Sequence, residues 1–229
     1  MLKVEKRYTK NIGTLTCEGQ ERIFQTTAAV VGAGGIGGFV IEGLARLGVK
    51  EIVAVDKDVF DETNLNRQVL STVNNLGSPK VIEAEKRVKE INPRVRFQPV
   101  SQKACLENLP DFLGRADYIF DATDNIEIRK ELSKFVQDTD KVLIHGGCAG
   151  WYVQVAVITK HTPSIERLFR DAGDQGAEKV LGNPVFAPML TAALELSEFC
   201  KLVSGKGKPL AGKCLVVNLL TNEYRVFEF

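Results

Sequence analysis

The sequence predicts an α/β fold: a Rossmann-like, doubly wound, mostly parallel sheet extended by antiparallel C-terminal strands. Three observations carry this. Residues 27–31 form a β-branched, apolar run that ends in Gly32-Ala33-Gly34-Gly35-Ile36-Gly37. Residues 36–47 then show helical apolar spacing up to Gly48, and 50–55 form a second apolar run. A strand, glycine-rich turn, helix and strand within about thirty residues make a βαβ unit, which requires a parallel pair.

The rest of the chain follows in order. Ser78-Pro79 opens a helix, with Ser78 expected at the N-cap and Pro79 at its first position; the helix stops before Asn92-Pro93. Residues 96–100 read as a strand, 106–113 as a short helix, and 118–121 and 142–145 as strands around a helix over 127–136. After Gly146-Gly147 the pattern changes to alternation over 152–159, which predicts a half-solvated antiparallel strand. Residues 161–184 read as a mobile crossover loop, 188–203 as an apolar helix, and 214–219 with 224–229 as a closing hairpin around Thr221-Asn222. The segment 1–26 reads as helical, and 1–229 as one domain, a length that can bury a large core.

Composition excludes several classes. Thirty Lys and Arg face 29 Asp and Glu, so the charge offers no reason to expect nucleic acid or a membrane surface. There is no apolar run long enough to cross a bilayer, and the charged start lacks a signal-peptide core, which points to the cytoplasm. Cysteines stand at 17, 105, 148, 200 and 214, an odd number with no close pair, so neither a disulfide framework nor a zinc site is expected.

The chemistry lies in three ordered segments. In the first, glycines 32, 34 and 37 lie between strand and helix, where backbone can approach phosphate and the helix N-terminus favours an anion. In the second, Asp56 ends a strand and suits ribose hydroxyls, while Asp58 either orients Arg67 or caps a turn. Arg67, within Asn64-Leu65-Asn66-Arg67-Gln68, offers planar donors to phosphate, with Asn64 and Asn66 adding neutral ones. Lys80 opposes the dipole of its helix, a placement suited to an anionic visitor or to plain solvation. In the third, Asp121-Ala122-Thr123-Asp124-Asn125, Asp124 is placed to hold Mg²⁺ against phosphates and Asp121 is structural. Asn125 suits either a nucleotide contact or a helix cap. His145 reads as a packed core residue.

Together these motifs resemble the ThiF/MoeB/HesA family of E1-like adenylyltransferases, from Arg7-Tyr8 to the last hairpin. The resemblance implies a homodimer that uses ATP and Mg²⁺ to adenylylate a carboxylate, commonly the Gly-Gly end of a ubiquitin-like sulfur carrier. It implies that Gly35 lies against the phosphates beside Gly32, Gly34 and Gly37, and that Asp56 holds the ribose. Asn64, Arg67 and Lys80 would hold the triphosphate, Asn125 the nucleotide, and Asp124 the metal. Lys10, in Arg7-Tyr8-Thr9-Lys10, would reach the partner subunit's ATP. The catalytic set is thus Arg67, Lys80, Asp124 and Lys10.

Two departures mark a divergent member. The family's paired CxxC knuckle is replaced by Pro163-Ser164-Ile165-Glu166-Arg167-Leu168-Phe169, so no structural zinc is expected. The crossover loop also lacks a cysteine, so the reaction is expected to stop at the acyl-adenylate. Cys148, after the glycines, is the one cysteine placed near the pocket. The alternatives are activation of a small or tRNA-borne carboxylate, as in the E1-like protein of iron-guanylylpyridinol assembly or tRNA threonylcarbamoyladenosine dehydratase. An NAD-dependent oxidoreductase, which leaves Arg67, Lys80 and Asp124 unexplained, and a non-catalytic nucleotide-binding scaffold complete the set.

Overall fold

The computed structural model describes residues 5–169 and 178–229. A 3-10 turn at Lys6–Tyr8 precedes α1 (Ile12–Gln25), which is interrupted at Thr16. The βαβ unit follows as β1 (Thr27–Val31), α2 (Gly35–Leu47) and β2 (Glu51–Val55). Gly48 ends α2 in the left-handed conformation, as its position predicts. Then come α3 (Lys80–Ile91), β3 (Arg96–Val100), α4 (Leu109–Leu113), β4 (Tyr118–Asp121), α5 (Ile126–Gln137) and β5 (Val142–Ala149). The chain closes with β6 (Tyr152–Ile158), α6 (Glu178–Leu181), α7 (Phe186–Ser204), β7 (Lys213–Asn218) and β8 (Glu223–Glu228).

The eight strands form one sheet in the order β3-β2-β1-β4-β5-β6-β7-β8. Pairings from β3 to β5 are parallel and those from β5 to β8 antiparallel. The order reverses between β1 and β4, and that switch point opens a crevice beyond the strands' carboxyl ends. Two cores flank the sheet. One gathers Val40, Ile41, Leu44, Ile52, Phe120 and Phe199 with the α2, α3 and α7 side. The other gathers Val31, Val53, Leu109, Ile119, Leu132 and Leu143 with the α4 and α5 side. Every residue of β1 and β2 is buried, as strands covered on both faces must be.

Four local expectations need correction. Pro79, not Ser78, occupies the N-cap of α3, because its backbone is extended (φ −59°, ψ 130°) and helical geometry starts at Lys80. The helix foreseen over 106–113 begins only at Leu109. The strand foreseen over 142–145 continues through Gly146 and Gly147 to Ala149, because β6 pairs with it from Leu143 to Ala149. β6 is also more buried than alternation implies: only Tyr152 is exposed and Gln154 half-buried, since the second core takes Ala156 and Ile158 and Val153 clusters with Ala187 of α7. The stretch 161–184 holds a 3-10 turn at Ile165–Arg167 and α6; its expected mobility falls partly on 170–177, outside the described residues.

Candidate active site

The switch-point crevice is a cleft of about 640 Å³. Its floor is the β1–α2 turn. Gly32 takes φ +95°, and a Cβ there would stand 2.6 Å from the carbonyl oxygen of Ala122. A Cβ at Gly37 would run into the carbonyl oxygen of Gly32, so this glycine lets helix and turn close on each other. Gly37 therefore serves packing and is not in the lining, whereas Gly32, Gly34 and Gly35 are. The unpaired N–H groups at the start of α2 and its positive dipole end meet this space.

The side chains around the floor are mostly cationic: Lys57, Arg67, Lys80, Lys103 and Arg129 against Asp56, Asp58 and Asp124. Asp56 ends β2 with both carboxylate oxygens engaged. Oδ2 accepts from the N–H of Ala33 at 2.7 Å, and Oδ1 from that of Asp58 at 2.8 Å. This pins the carboxylate to the glycine loop and leaves its outer lone pairs for a ligand. Arg67 folds back, donating from Nη1 to the carbonyl oxygen of Thr63 (3.0 Å) and to Asn66 Oδ1 (2.9 Å).

Lys80 is 7% exposed, with Nζ 3.7 Å from Asp58 Oδ2. Asp58 also pairs with Lys57 at 2.6 Å. The Lys57 hydrogen bond outweighs the upward push of burial, and with the charge of Lys80 it holds the Asp58 carboxyl below its ordinary range. Asp58 thus faces two lysines rather than orienting Arg67. Among the described residues the buried ammonium pairs with a distant, half-exposed carboxylate, a loose pairing that a polyanion could replace.

Asp124 follows β4 and lines the cleft, and its carboxylate has no hydrogen-bond partner among the described residues. Behind it Asp121 is fully buried. Its Oδ1 accepts from Thr123 N–H (3.1 Å) and Oγ1–H (2.7 Å), and its Oδ2 lies 2.7 Å from His145 Nδ1. Gln154 Nε2 approaches His145 Nε2 at 3.1 Å. The network assigns a neutral imidazole that donates from Nδ1 and accepts at Nε2. Burial presses the His145 pKa down despite Asp121 beside it. For Asp121, burial pushes upward, but the hydrogen bond from His145, with the charge of Arg129 and the bond from Thr123, leaves the carboxyl below its usual range. Both side chains are fully buried, as their sequence positions imply.

Three expected site residues lie elsewhere or do other work. Asn64 is buried in a reciprocal cap with Asp61 and is absent from the lining, because its amide closes the 3-10 turn at Glu62–Asn64. Asn125 lines the cleft, yet its side chain caps α5, accepting from the N–H groups of Glu127 and Ile128. Lys10 is remote. Tyr8 packs on Gly48 at the far end of α2 and accepts from Asn92 Nδ2 at 2.8 Å. The 13 residues of α2 put about 20 Å between that end and the glycine loop.

Sequence reasoning missed Arg129 and Gln68. Arg129 stands in the first turns of α5, opposing its dipole as Lys80 opposes that of α3, so the same signal could have found it. Gln68 closes the 64–68 segment; its Oε1 is buried in the lining with no partner among the described residues. Cys148 does line the cleft, with Asn183 from the chain entering α7 and Pro188 from its first turn.

A doubly wound sheet with a cation-rich cleft at its switch point defines a binding protein for an anionic, nucleotide-like ligand. The ThiF family pattern matches residues 8–229, and the chain belongs to that family. It is 34% identical over 217 residues to a sulfur carrier protein adenylyltransferase of Thermus thermophilus, covering 91% of this chain and 80% of the relative. It is 31% identical to a SAMP-activating enzyme E1 of Haloferax volcanii, covering 91% and 79%. The crystal structure of E. coli MccB with ATP shares the fold (TM-score 0.85, 18% identity), covering 98% of this chain and 72% of that one. Among the described residues no helix is long and apolar enough to cross a membrane.

Proposed function

We propose that this protein is an ATP-dependent adenylyltransferase that activates a carboxylate as an acyl-adenylate and releases pyrophosphate. One observation carries this reading: the glycine loop, Asp56, Arg67, Lys80 and Asp124 converge on a single cleft. The family and the adenylyltransferase relatives support it. A nicotinamide dinucleotide would need the glycine loop and Asp56 but would leave Arg67, Lys80 and Asp124 without a task.

The chemistry asks little of the protein beyond positioning and charge. The substrate carboxylate is already ionised at neutral pH, since its reference pKa is near 4, so no general base is required. Its oxygen attacks the α-phosphorus; the new O–P bond forms as the bond to the bridging oxygen breaks, and pyrophosphate leaves with that electron pair. Arg67 turns from its backbone anchor to the phosphates, Lys80 exchanges Asp58 for them, and the start of α2 receives their oxygens.

Mg²⁺ fits Asp124. No group of three or more His, Cys, Asp or Glu among the described residues could cage a metal, and Mg²⁺ typically binds through one or two carboxylates, water and substrate phosphates. When bound, it offsets charge on the phosphates. The same donor chemistry leads us to expect no structural zinc, which elemental analysis of the purified protein checks.

We further infer a homodimer working in the cytoplasm. Leu65, Val69 and Val73 are exposed beside Arg67, and Met189 is exposed on the first turn of α7. They form apolar surface suited to a second copy at the cleft's rim. Only from a partner could Lys10 reach a nucleotide, given its place at the far end of α2.

The favoured substrate is the Gly-Gly end of a ubiquitin-like sulfur carrier, in line with the named relatives. ATP–pyrophosphate exchange tests this: exchange that depends on such a carrier and is lost in Asp124→Ala supports it. Exchange supported only by a small acid would select the cofactor-precursor alternative, and exchange supported only by a tRNA would select the tRNA-borne carboxylate.

A further inference from the structure

We propose that Arg129 is a positioning residue that sets Asp124 for the metal, through a clamp closed by Phe169. The proposal rests on the reading of Asp124 as the Mg²⁺ carboxylate. Arg129 is 8% exposed, and as a cation near the start of α5 it opposes the helix dipole. Two costs, burial and dipole, demand compensation nearby.

Three contacts supply it. Nη2–H donates to the carbonyl oxygen of Thr123. Nε lies 3.7 Å from Asp121 Oδ2, close enough for charge but not for a hydrogen bond, and it has no other partner among the described residues. The guanidinium carbon stands 5.6 Å from the centre of the Phe169 ring, within cation–π range. Phe169 also meets His145 edge-on at 5.7 Å, so the ring covers the buried Asp121–His145 pair and the guanidinium together.

The consequence falls on Asp124. Thr123 is gripped at its N–H and hydroxyl by Asp121 and at its carbonyl by Arg129. Asn125 is fixed by its cap on α5. The carbonyl of Thr123 and the N–H of Asp124 share one rigid peptide plane. Holding that carbonyl therefore sets the plane from which the Asp124 side chain departs. Lysine, a point charge without a planar fork, cannot face a carbonyl, a carboxylate and a ring at once.

Mn²⁺ binding, followed by electron paramagnetic resonance with α,β-methylene-ATP present, tests this. Residues behind a metal ligand typically change metal affinity roughly tenfold to a hundredfold. Arg129→Lys should weaken Mn²⁺ binding about tenfold. Calorimetry with the analogue in EDTA gives its metal-free nucleotide affinity, and the loss of Mn²⁺ binding should exceed any change there. Phe169→Leu, which keeps the guanidinium but removes the ring face, should weaken Mn²⁺ about two- to threefold, in line with a sub-kcal/mol cation–π contact. It carries the test if Arg129→Lys does not fold. Wild-type Mn²⁺ binding in every variant that folds, with Asp124→Ala losing the metal, overturns the clamp. Mn²⁺ binding intact in Asp124→Ala overturns the metal reading and the clamp with it.

Discussion

The two ends of the sheet are built on opposite terms. From β3 to β5 the strands are parallel; β1 and β2 are buried at every residue, and polar groups gather where the strands end. At the other end β8 is exposed along its whole length and presents Tyr224, Val226 and Phe227 to solvent. The contrast has a physical basis. A parallel sheet needs helices on both faces, so its ligands are confined to the crevice beyond its carboxyl ends. An antiparallel edge can leave surface open, and open apolar surface is where a macromolecular partner can dock. Charge chemistry is thus expected in the first region, and docking of a carrier protein in the second.

The sharpest way to break this division is to strip charge from the cleft. Lys80→Ala or Asp124→Ala should lower ATP–pyrophosphate exchange by about a hundredfold or more while the protein stays folded, the usual loss for one electrostatic contact in a transition state. Exchange near wild type in either variant would remove those residues from the chemistry. At the other end, Phe227→Asp should raise the KM for a carrier protein about tenfold, as expected for one charge placed in an interface, and leave ATP binding unchanged. A matching loss of ATP binding would mean that the two regions are not separate.

A third prediction concerns the seam between them. Glu195 on α7 is fully buried against Gly146 of β5, and among the described residues neither carboxyl oxygen has a hydrogen-bond partner. Burial, helped by the charge of Asp121 and eased by Arg129, raises its pKa well above the ordinary 4.5. The folded state then binds a proton that the unfolded chain releases near its ordinary pKa. Stability should fall as pH rises from that value to the raised one. Glu195→Gln should flatten this slope and raise the Tm above pH 7, by about 2–4 °C for each kcal/mol recovered. An unchanged pH profile in differential scanning calorimetry would show that the carboxyl is already satisfied.

The smallest effect is expected at Cys148. It lines the cleft, yet chemistry that ends at the acyl-adenylate needs no thiolate. Cys148→Ser should retain most exchange, and mass spectrometry should find no reducible enzyme–substrate adduct. Burial pushes the thiols of Cys200 and Cys214 up to about 11 and about 12, poor settings for a nucleophile. An adduct on any of the five cysteines would return the protein to thioester chemistry.

What the sequence made legible follows the same division. The parallel end could be read closely because βαβ units announce themselves in strand–glycine–helix order; β1 and β4 begin and end where the pattern places them. The antiparallel end was harder to read. Alternation in β6 suggested one wet face, but α7 and the second core cover most of it. In the cleft, Arg67, Lys80 and Asp124 were legible because charges beside a glycine loop need a reason. That the amide of Asn64 caps its own turn, outside the lining, could not be read from its motif. Arg129 was overlooked because its partners Thr123, Asp121 and Phe169 come together only in three dimensions.

Thermal unfolding with ATP·Mg²⁺ and with NAD⁺ tests the central claim most directly, because it asks what the cleft holds before any acceptor is known. A cleft built for a triphosphate predicts that ATP·Mg²⁺ raises the Tm, that NAD⁺ does not, and that Lys80→Ala abolishes the shift. Stabilisation by NAD⁺ and none by ATP·Mg²⁺ would contradict it.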